Sequence, residues 1–260
     1  MEKRNEKIGL SAHSLNIFNE CPKCFYLSVK EGFSRPRGPM PSIATGIDSL
    51  IKEYFEFYRK KEKLPPFLIG KIEGKLISTL KKTYYYDIEE NKNYYLWGRL
   101  DEIIQTPEGF YVPLDHKTRA SLPPKGDPHH AYQFQLGIYS LLLKKENKGN
   151  EVDFGYLVYY YPEKSMTDYE ADKIRNIINF NFEVKKVELD IKYIKTIIKD
   201  AIKCLDKNMV PERGPNCEYC DWVENIKIYY FEKEEKKERE KLEKVDLNKE
   251  EIEFPEGKLF

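Results

Sequence analysis

The stretch Gly98–Thr118, GRLDEIIQTPEGFYVPLDHKT, decides how this chain is read. Two strand-forming runs, Tyr94–Ile104 and Phe110–His116, flank Thr106-Pro107-Glu108-Gly109, whose Pro and Gly are turn residues, so the segment is expected to be a β-hairpin. Alternation puts Phe110, Val112 and Leu114 on one face and Tyr111, Pro113, Asp115 and Lys117 on the other. A turn centred on Pro107 and Glu108 sets Asp101 opposite Leu114, immediately beside Asp115. Two carboxylates that close repel each other unless a proton or cation lies between them, and a hard divalent ion such as Mg²⁺ takes carboxylate, carbonyl and water oxygens. Lys117, one pleat beyond Asp115, then stands over an attacking water or a scissile phosphate, where an ammonium stabilises developing negative charge.

An isolated D-x-K carries almost no information, because charged hairpins on protein surfaces contain it by chance. Three features raise its weight. Asp101 lies at the hairpin distance, the strand entering Asp115 is apolar on one face, and a helix follows on which Gln135 and Tyr139, four apart, share a face.

The 260 residues suit one large domain with decorations. Lys plus Arg and Asp plus Glu are equal at 44 each, so nothing in the net charge drives the chain towards nucleic acid or membrane, and any polyanion contact must be local. Without an apolar run of membrane-spanning length or an apolar signal core in MEKRNEKIGLSAHS, a soluble, cytoplasmic protein is expected. Five cysteines in such a chain suit metal ligands or free thiols better than disulfides. The 20 tyrosines read as half-buried strand and helix residues.

Along the chain, Ser11 or Ser14 caps two short helical pieces interrupted at Cys21-Pro22. After the Gly/Pro/Arg-rich loop 33–41, helical spacing runs through Ile47, Leu50, Ile51, Tyr54, Phe55 and Tyr58, and a further helix is expected over Pro66–Leu80. Beyond the hairpin come a helix from His129 with Asp127 as its cap, a strand in DFGYLVYYYP, a second in NFNFEVKKVEL and the helix of DIKYIKTIIKDAIKCLDKN. This order indicates mixed α/β, with no internal repeat. A cysteine segment, 208–223, and a mixed-charge tail, 224–260, follow, the tail reading as a solvated helix or an extension without structure.

Taken in order, these segments resemble the PD-(D/E)xK nuclease superfamily and, within it, the RecB-like group that includes the AddB subunit and CRISPR-associated exonucleases. LSAHSLNIFNECPKCFYL, GRLDEI, PLDHKT, QFQLGIY and CEYCDW are similar to that group's successive motifs and cover most of residues 10–223. The resemblance implies a restriction-endonuclease-like core: a central mixed sheet flanked by helices, with a helical N-terminal region over 10–90, a catalytic core over 91–207 and the cysteine segment, all within one domain 1–223. It implies that Asp101, Asp115 and the backbone carbonyl of His116 bind Mg²⁺ or Mn²⁺, that Lys117 positions or activates the water, and that Gln135 and Tyr139 support the site and contact DNA. The group's usual early His is replaced in ATGIDSL by Asp48, which is either a further metal ligand or a plain polar helix residue. Arg119 and Lys125, and further off Arg35 and Arg37, are either phosphate contacts or solvated charges. By alternation the His116 side chain is structural rather than catalytic, and His129 and His130 open their helix, where they either touch a phosphate or do nothing so specific.

Cys21-x-x-Cys24 and Cys217-x-x-Cys220 supply four thiols that suit Zn²⁺ or an iron–sulfur cluster. The resemblance implies a [4Fe-4S] cluster, but the position of that group's fourth ligand falls on Ile226, leaving Cys24 as the substitute; zinc and ordinary buried thiols stay open. Bound metal would then clip the two ends of the chain together. Cys204, among Ile202 and Leu205, is expected in the core. The function implied is divalent-metal-dependent hydrolysis of DNA phosphodiester bonds, by an exonuclease on single strands or duplex ends, with a helicase or a CRISPR-adaptation protein as the kind of partner. The alternatives are a nucleic-acid-binding or assembly protein that keeps the fold but does not cut, and a structural zinc protein.

Overall fold

Ser11 starts the first helix as its sequence leads one to expect. Its hydroxyl accepts from Ser14 N–H at 3.2 Å while Ser14 Oγ accepts from Ser11 N–H at 2.9 Å, a reciprocal capping box. The structure, a computed structural model, describes residues 7–36, 38, 41–123, 125–126, 128–163 and 180–250, with side chains as far as residue 239. It divides into two compact units, Met1–Glu212 and Arg213–Phe260.

The first unit runs β1 (Ile8–Leu10), α1 (Ala12–Glu20), α2 (Pro22–Val29), α3 (Ser42–Arg59), β2 (Lys75–Leu76), β3 (Tyr84–Asp87), β4 (Tyr94–Gly98), β5 (Glu102–Gln105), β6 (Tyr111–Thr118), α4 (His130–Leu142), β7 (Phe154–Pro162), β8 (Phe180–Glu188) and α5 (Ile191–Asp206). The strands form two mixed sheets. One has the order β1-β4-β3, the other β2-β5-β6-β7-β8, in which β6 and β7 are parallel and the remaining pairs antiparallel. The expected mixed α/β class is what the structure has.

The larger sheet is covered on both faces, and period-two alternation decides what each face meets. Ile51 and Phe55 of α3 pack against Ile104, Val112, Leu114, Tyr156 and Val158, while Leu136 of α4 packs against Leu157, Tyr159 and Val187 on the other side. Since Val112 and Leu114 face α3, Asp115 and Lys117 face α4. An apolar face thus aims the acidic and basic side chains of β6 at one helix.

Four expectations are corrected. The run Tyr94–Ile104 is not one strand: β4 ends at Gly98 and β5 begins at Glu102 in the other sheet. Gly98 allows the close approach at this crossing, where an added Cβ would come within 2.8 Å of Leu142 Cδ1 and 3.2 Å of Tyr139 Cε1. Pro66–Leu80 holds only a 3₁₀ turn, Pro66–Leu68, and β2, because Gly70 and Gly74 adopt φ of +77° and +121°, values a helix cannot use. The hairpin register differs by one residue: Glu102 pairs with Leu114, so Asp101 stands opposite Asp115. The loop contains three residues, with Gly109 N–H bonded to Thr106 O at 2.9 Å and Gly109 in the left-handed region at +89°, a type I turn extended by one residue. Finally, α4 is capped by His129, whose Nδ1 accepts from Ala131 N–H at 3.2 Å; Asp127 lies outside the described residues.

The second unit carries α6 (Glu218–Glu250), with Glu218 and Asp221 in its first turn, where acids favour the helix dipole. Among the described residues no helix is long and apolar enough to cross a membrane.

Candidate active site

The structure brings five of the expected residues into one hydrogen-bonded group. Asp115, 1% exposed, lies mid-β6; Gln135 Nε2 donates to its Oδ1 at 3.2 Å and to Tyr139 Oη at 2.8 Å. Lys117 Nζ donates to Gln135 Oε1 at 2.9 Å and approaches Asp115 Oδ2 at 2.5 Å. Asp101 Oδ2 accepts from the His116 N–H at 3.2 Å, which fixes its carboxylate over β6 beside Asp115. Gln135 is thus a hub: one amide orients the acid, the lysine and the tyrosine at once.

Burial holds the Asp115 carboxyl well above the ordinary carboxylate range, with neighbouring Asp101 adding to the shift and Lys117 opposing it. Its Oδ2 makes no hydrogen bond despite the lysine beside it. A buried acid beside a second acid, with one oxygen that has only the Lys117 ammonium next to it, fits a divalent cation held by hard oxygen ligands.

Asp48 is placed differently. On α3, its carboxylate is half exposed and bonded to Lys52 Nζ at 2.6 Å. Burial disfavours the Lys52 ammonium, but the bond to Asp48 and the charges of Asp101, Asp48 and Asp115 outweigh that and raise its pKa. Lys52 therefore sits in the field of all three acids, and a cation shared by Asp48 and Asp115 would compete with it.

The His116 ring points to the α3 face as alternation requires, 4.5 Å from the Phe55 ring and with Nδ1 3.3 Å from Tyr160 Oη. Burial pushes it down to about 4, so the ring is neutral at pH 7. Of the expected DNA contacts, Arg119 is half-buried with its guanidinium 5.9 Å from the Tyr159 ring centre, Lys125 is exposed, Arg35 is tied to Glu20 at 2.6 Å, and Arg37 lies outside the described residues. His130 stacks on Phe134 and meets Tyr193 edge-on.

Three participants had no clear signal in the sequence. Lys52 is the first. Tyr132 is the second, its ring 4.7 Å from Lys117 Nζ. The third is the buried pair Arg59–Glu102, in which Nε and Nη2 meet the carboxylate at 3.1 and 3.0 Å and lock α3 to β5 next to Asp101. Only Tyr132 was within reach, being one helical turn before Gln135.

Elsewhere, Cys21 and Cys24 are buried around the start of α2 in the first unit, and Cys217 and Cys220 are buried around the start of α6 in the second. Four soft thiols suit Zn²⁺ or iron–sulfur chemistry. Cys204 is half-buried and free, with its thiol pushed up by burial.

Compared with family models, residues 44–225 match that of the PD-(D/E)XK nuclease superfamily. The chain belongs to the PD-(D/E)XK nuclease superfamily. Members of this superfamily are generally metal-dependent nucleases, and a nuclease domain implies nucleic-acid binding. The matched span includes Asp48, Asp101, Asp115, Lys117, Gln135 and Tyr139. A solved structure, "Crystal structure of SSO0001", superposes with a TM-score of 0.36 at 18% identity, over 76% of this PD-(D/E)XK chain and 77% of that one. No curated protein matches.

Proposed function

We propose that this PD-(D/E)XK protein is a divalent-metal-dependent deoxyribonuclease of the RecB-like kind, acting as an exonuclease on single-stranded DNA or duplex ends. The observation that carries the reading is the Gln135-centred group, in which Asp115 and Lys117 share one face of β6 and Asp101, just before β5, stands opposite Asp115. Mg²⁺ or Mn²⁺, when bound, supplies Lewis-acid polarisation of a phosphoryl oxygen and lowers the pKa of water. Asp115 and Asp101, with the His116 carbonyl, are the residues to hold it; Asp48 joins them when Lys52 releases it. Lys117 presents its ammonium where an attacking water or a phosphate oxygen would lie, held there by Gln135 and by the Tyr132 ring. Burial above all raises the Tyr139 pKa, so its hydroxyl stays protonated and supports Gln135. Arg119 and Lys125 would take flanking phosphates.

The nuclease domain spans 1–223, ahead of a charged tail, and works with a helicase or CRISPR-adaptation protein in the cytoplasm. Cys21, Cys24, Cys217 and Cys220 hold a [4Fe-4S] cluster or Zn²⁺; the visible spectrum and metal content of anaerobically purified protein distinguish the two, and metal-free protein would remove both.

The direct test is cleavage of end-labelled single-stranded and duplex DNA with Mg²⁺ or Mn²⁺. Asp115→Ala and Lys117→Ala are each expected to lower the rate at least roughly 100-fold without loss of fold. Equal cleavage by wild type and both variants would sink this site, and a wild type that binds but never cuts would leave a nucleic-acid-binding protein with the same fold.

A further inference from the structure

Behind Gln135 and Tyr139 the chain forms a second concavity. A cavity of about 520 Å³, within the roughly 300–1,000 Å³ of small-ligand sites, is lined by His13 and Asn16 of α1, Trp97 and Arg99 at the end of β4, and Gln135 and Tyr139 of α4. Two of its walls differ sharply in chemistry. On one side Gln135 bonds both Asp115 and Tyr139, so the cavity and the metal site share a partition. On the other stand an indole that is 36% exposed and a guanidinium, Arg99, that makes no ion pair among the described residues.

The sheet behind Trp97 continues the same character. Trp97 pairs across the ladder with Tyr85, which is 42% exposed, and Tyr95 lies on the same face of β4 two residues earlier, its ring 5.9 Å from that of Tyr85. Gly9, paired with Tyr95, leaves room for these rings: a Cβ there would meet Tyr95 Oη at 2.7 Å and Trp97 Cδ1 at 2.9 Å. Trp97 and Tyr85 thus expose ring surface on this sheet, and Trp97 does so at the wall of a cavity that also holds the exposed Arg99.

We propose that this cavity seats the nucleotide flanking the scissile phosphate of a single-stranded nucleic acid, its base stacked on Trp97 and its phosphate held by Arg99. A π-face has to be unpaired and unstacked before an indole can cover it, so the site selects single strands or frayed ends over intact duplex. Every base offers a π-face, so sequence preference is weak. The Tyr95 and Tyr85 rings extend the path for the bases that follow. The proposal rests on the nuclease reading for its substrate, but its binding step does not need cleavage.

The test uses the full-length chain. Of the two tryptophans, Trp222 is removed by Trp222→Phe, so that the fluorescence reports Trp97. With metal chelated, oligothymidylate is expected to quench it saturably, and a blunt duplex or an abasic strand of the same length to bind at least tenfold more weakly. Arg99→Ala should weaken oligothymidylate binding about fivefold. With Mn²⁺ present, Trp97→Ala should raise KM for oligothymidylate roughly tenfold, the scale of one base–aromatic stack, and leave KM for the abasic strand unchanged. Trp97→Phe, which keeps a ring, should fall between. Absence of quenching, equal binding of duplex, or the same Trp97→Ala effect on both strands would overturn the proposal. If wild type cuts nothing, the nuclease reading fails and the quenching titration still decides the cavity.

Discussion

At the scale of single residues the site is built from groups whose burial and charge conflict, and Glu102 shows the cost most clearly. Burial pushes its carboxyl up to about 7, although Arg59 pulls the other way through two hydrogen bonds. An unfolded glutamate titrates near ~4.3, so between the two values the folded chain keeps a proton that the unfolded chain has lost. The stabilising contribution is therefore complete below about pH 4 and is lost as pH rises through about 7. Against Glu102→Gln, which cannot ionise, wild-type stability should fall between pH 5 and 8 by on the order of 1–3 kcal/mol, read from urea unfolding at each pH. A difference that does not change with pH would show that the Arg59 pair, not burial, governs this carboxyl. Buried pairs of this kind contribute little net stability, because desolvation offsets their attraction. A consequence of the pair is that α3, and with it Lys52 and Asp48, is fixed in rotation beside Asp101.

At the scale of elements, α4 does the positioning, because it carries Leu136 into the sheet core while Gln135 and Tyr139 reach the acid. Its depth is set by Gly137, where an added Cβ would collide with Cδ1 of the buried Ile194 of α5. Gly137→Ala should cost about 1 kcal/mol net: overpacking of ~1–3 kcal/mol exceeds the ~1 kcal/mol gained in helix propensity. Ile194→Val alone should cost a similar amount, about 1 kcal/mol, yet the double variant should be more stable than the two losses summed. Simple additivity of the melting temperatures would show that the two helices do not meet as closely as stated. Elements such as α1, α2, α3 and α5 were legible in the sequence because caps and apolar spacing are local properties. The hairpin was legible too, and the members of the acid, lysine, glutamine and tyrosine group could be named, but the register slipped by one residue since a Gly in the left-handed region lengthens the loop without altering its composition. What could not be read was the passage from β4 to β5, because a strand that changes sheets looks continuous until the neighbouring helix is placed. Lys52 and the Arg59–Glu102 pair were hidden for the same reason: α3 had to be docked first.

At the scale of the whole molecule, a nucleic-acid-binding protein with no net charge must bind its polyanion with few cations. Equal totals of 44 leave no excess, and many of the described cations are already engaged, including Lys52 with Asp48, Arg59 with Glu102, Lys195 with Glu151 and Arg35 with Glu20. Lys117 faces the acids of the site, so in the proposed binding mode the flanking phosphates fall to Arg99, Arg119 and Lys125. Each phosphate neutralised on a single strand contributes about −0.7 to the slope of log K against log salt, so three or four contacts give a slope of roughly −2 to −3. From 50 to 200 mM salt the affinity for an oligonucleotide, measured with metal chelated, should then fall only about 15- to 60-fold. A strongly basic binder would lose several thousandfold over the same range. A measured slope steeper than about −5 would mean that the electrostatic footprint extends well beyond these residues, and base stacking would then not be the principal source of affinity.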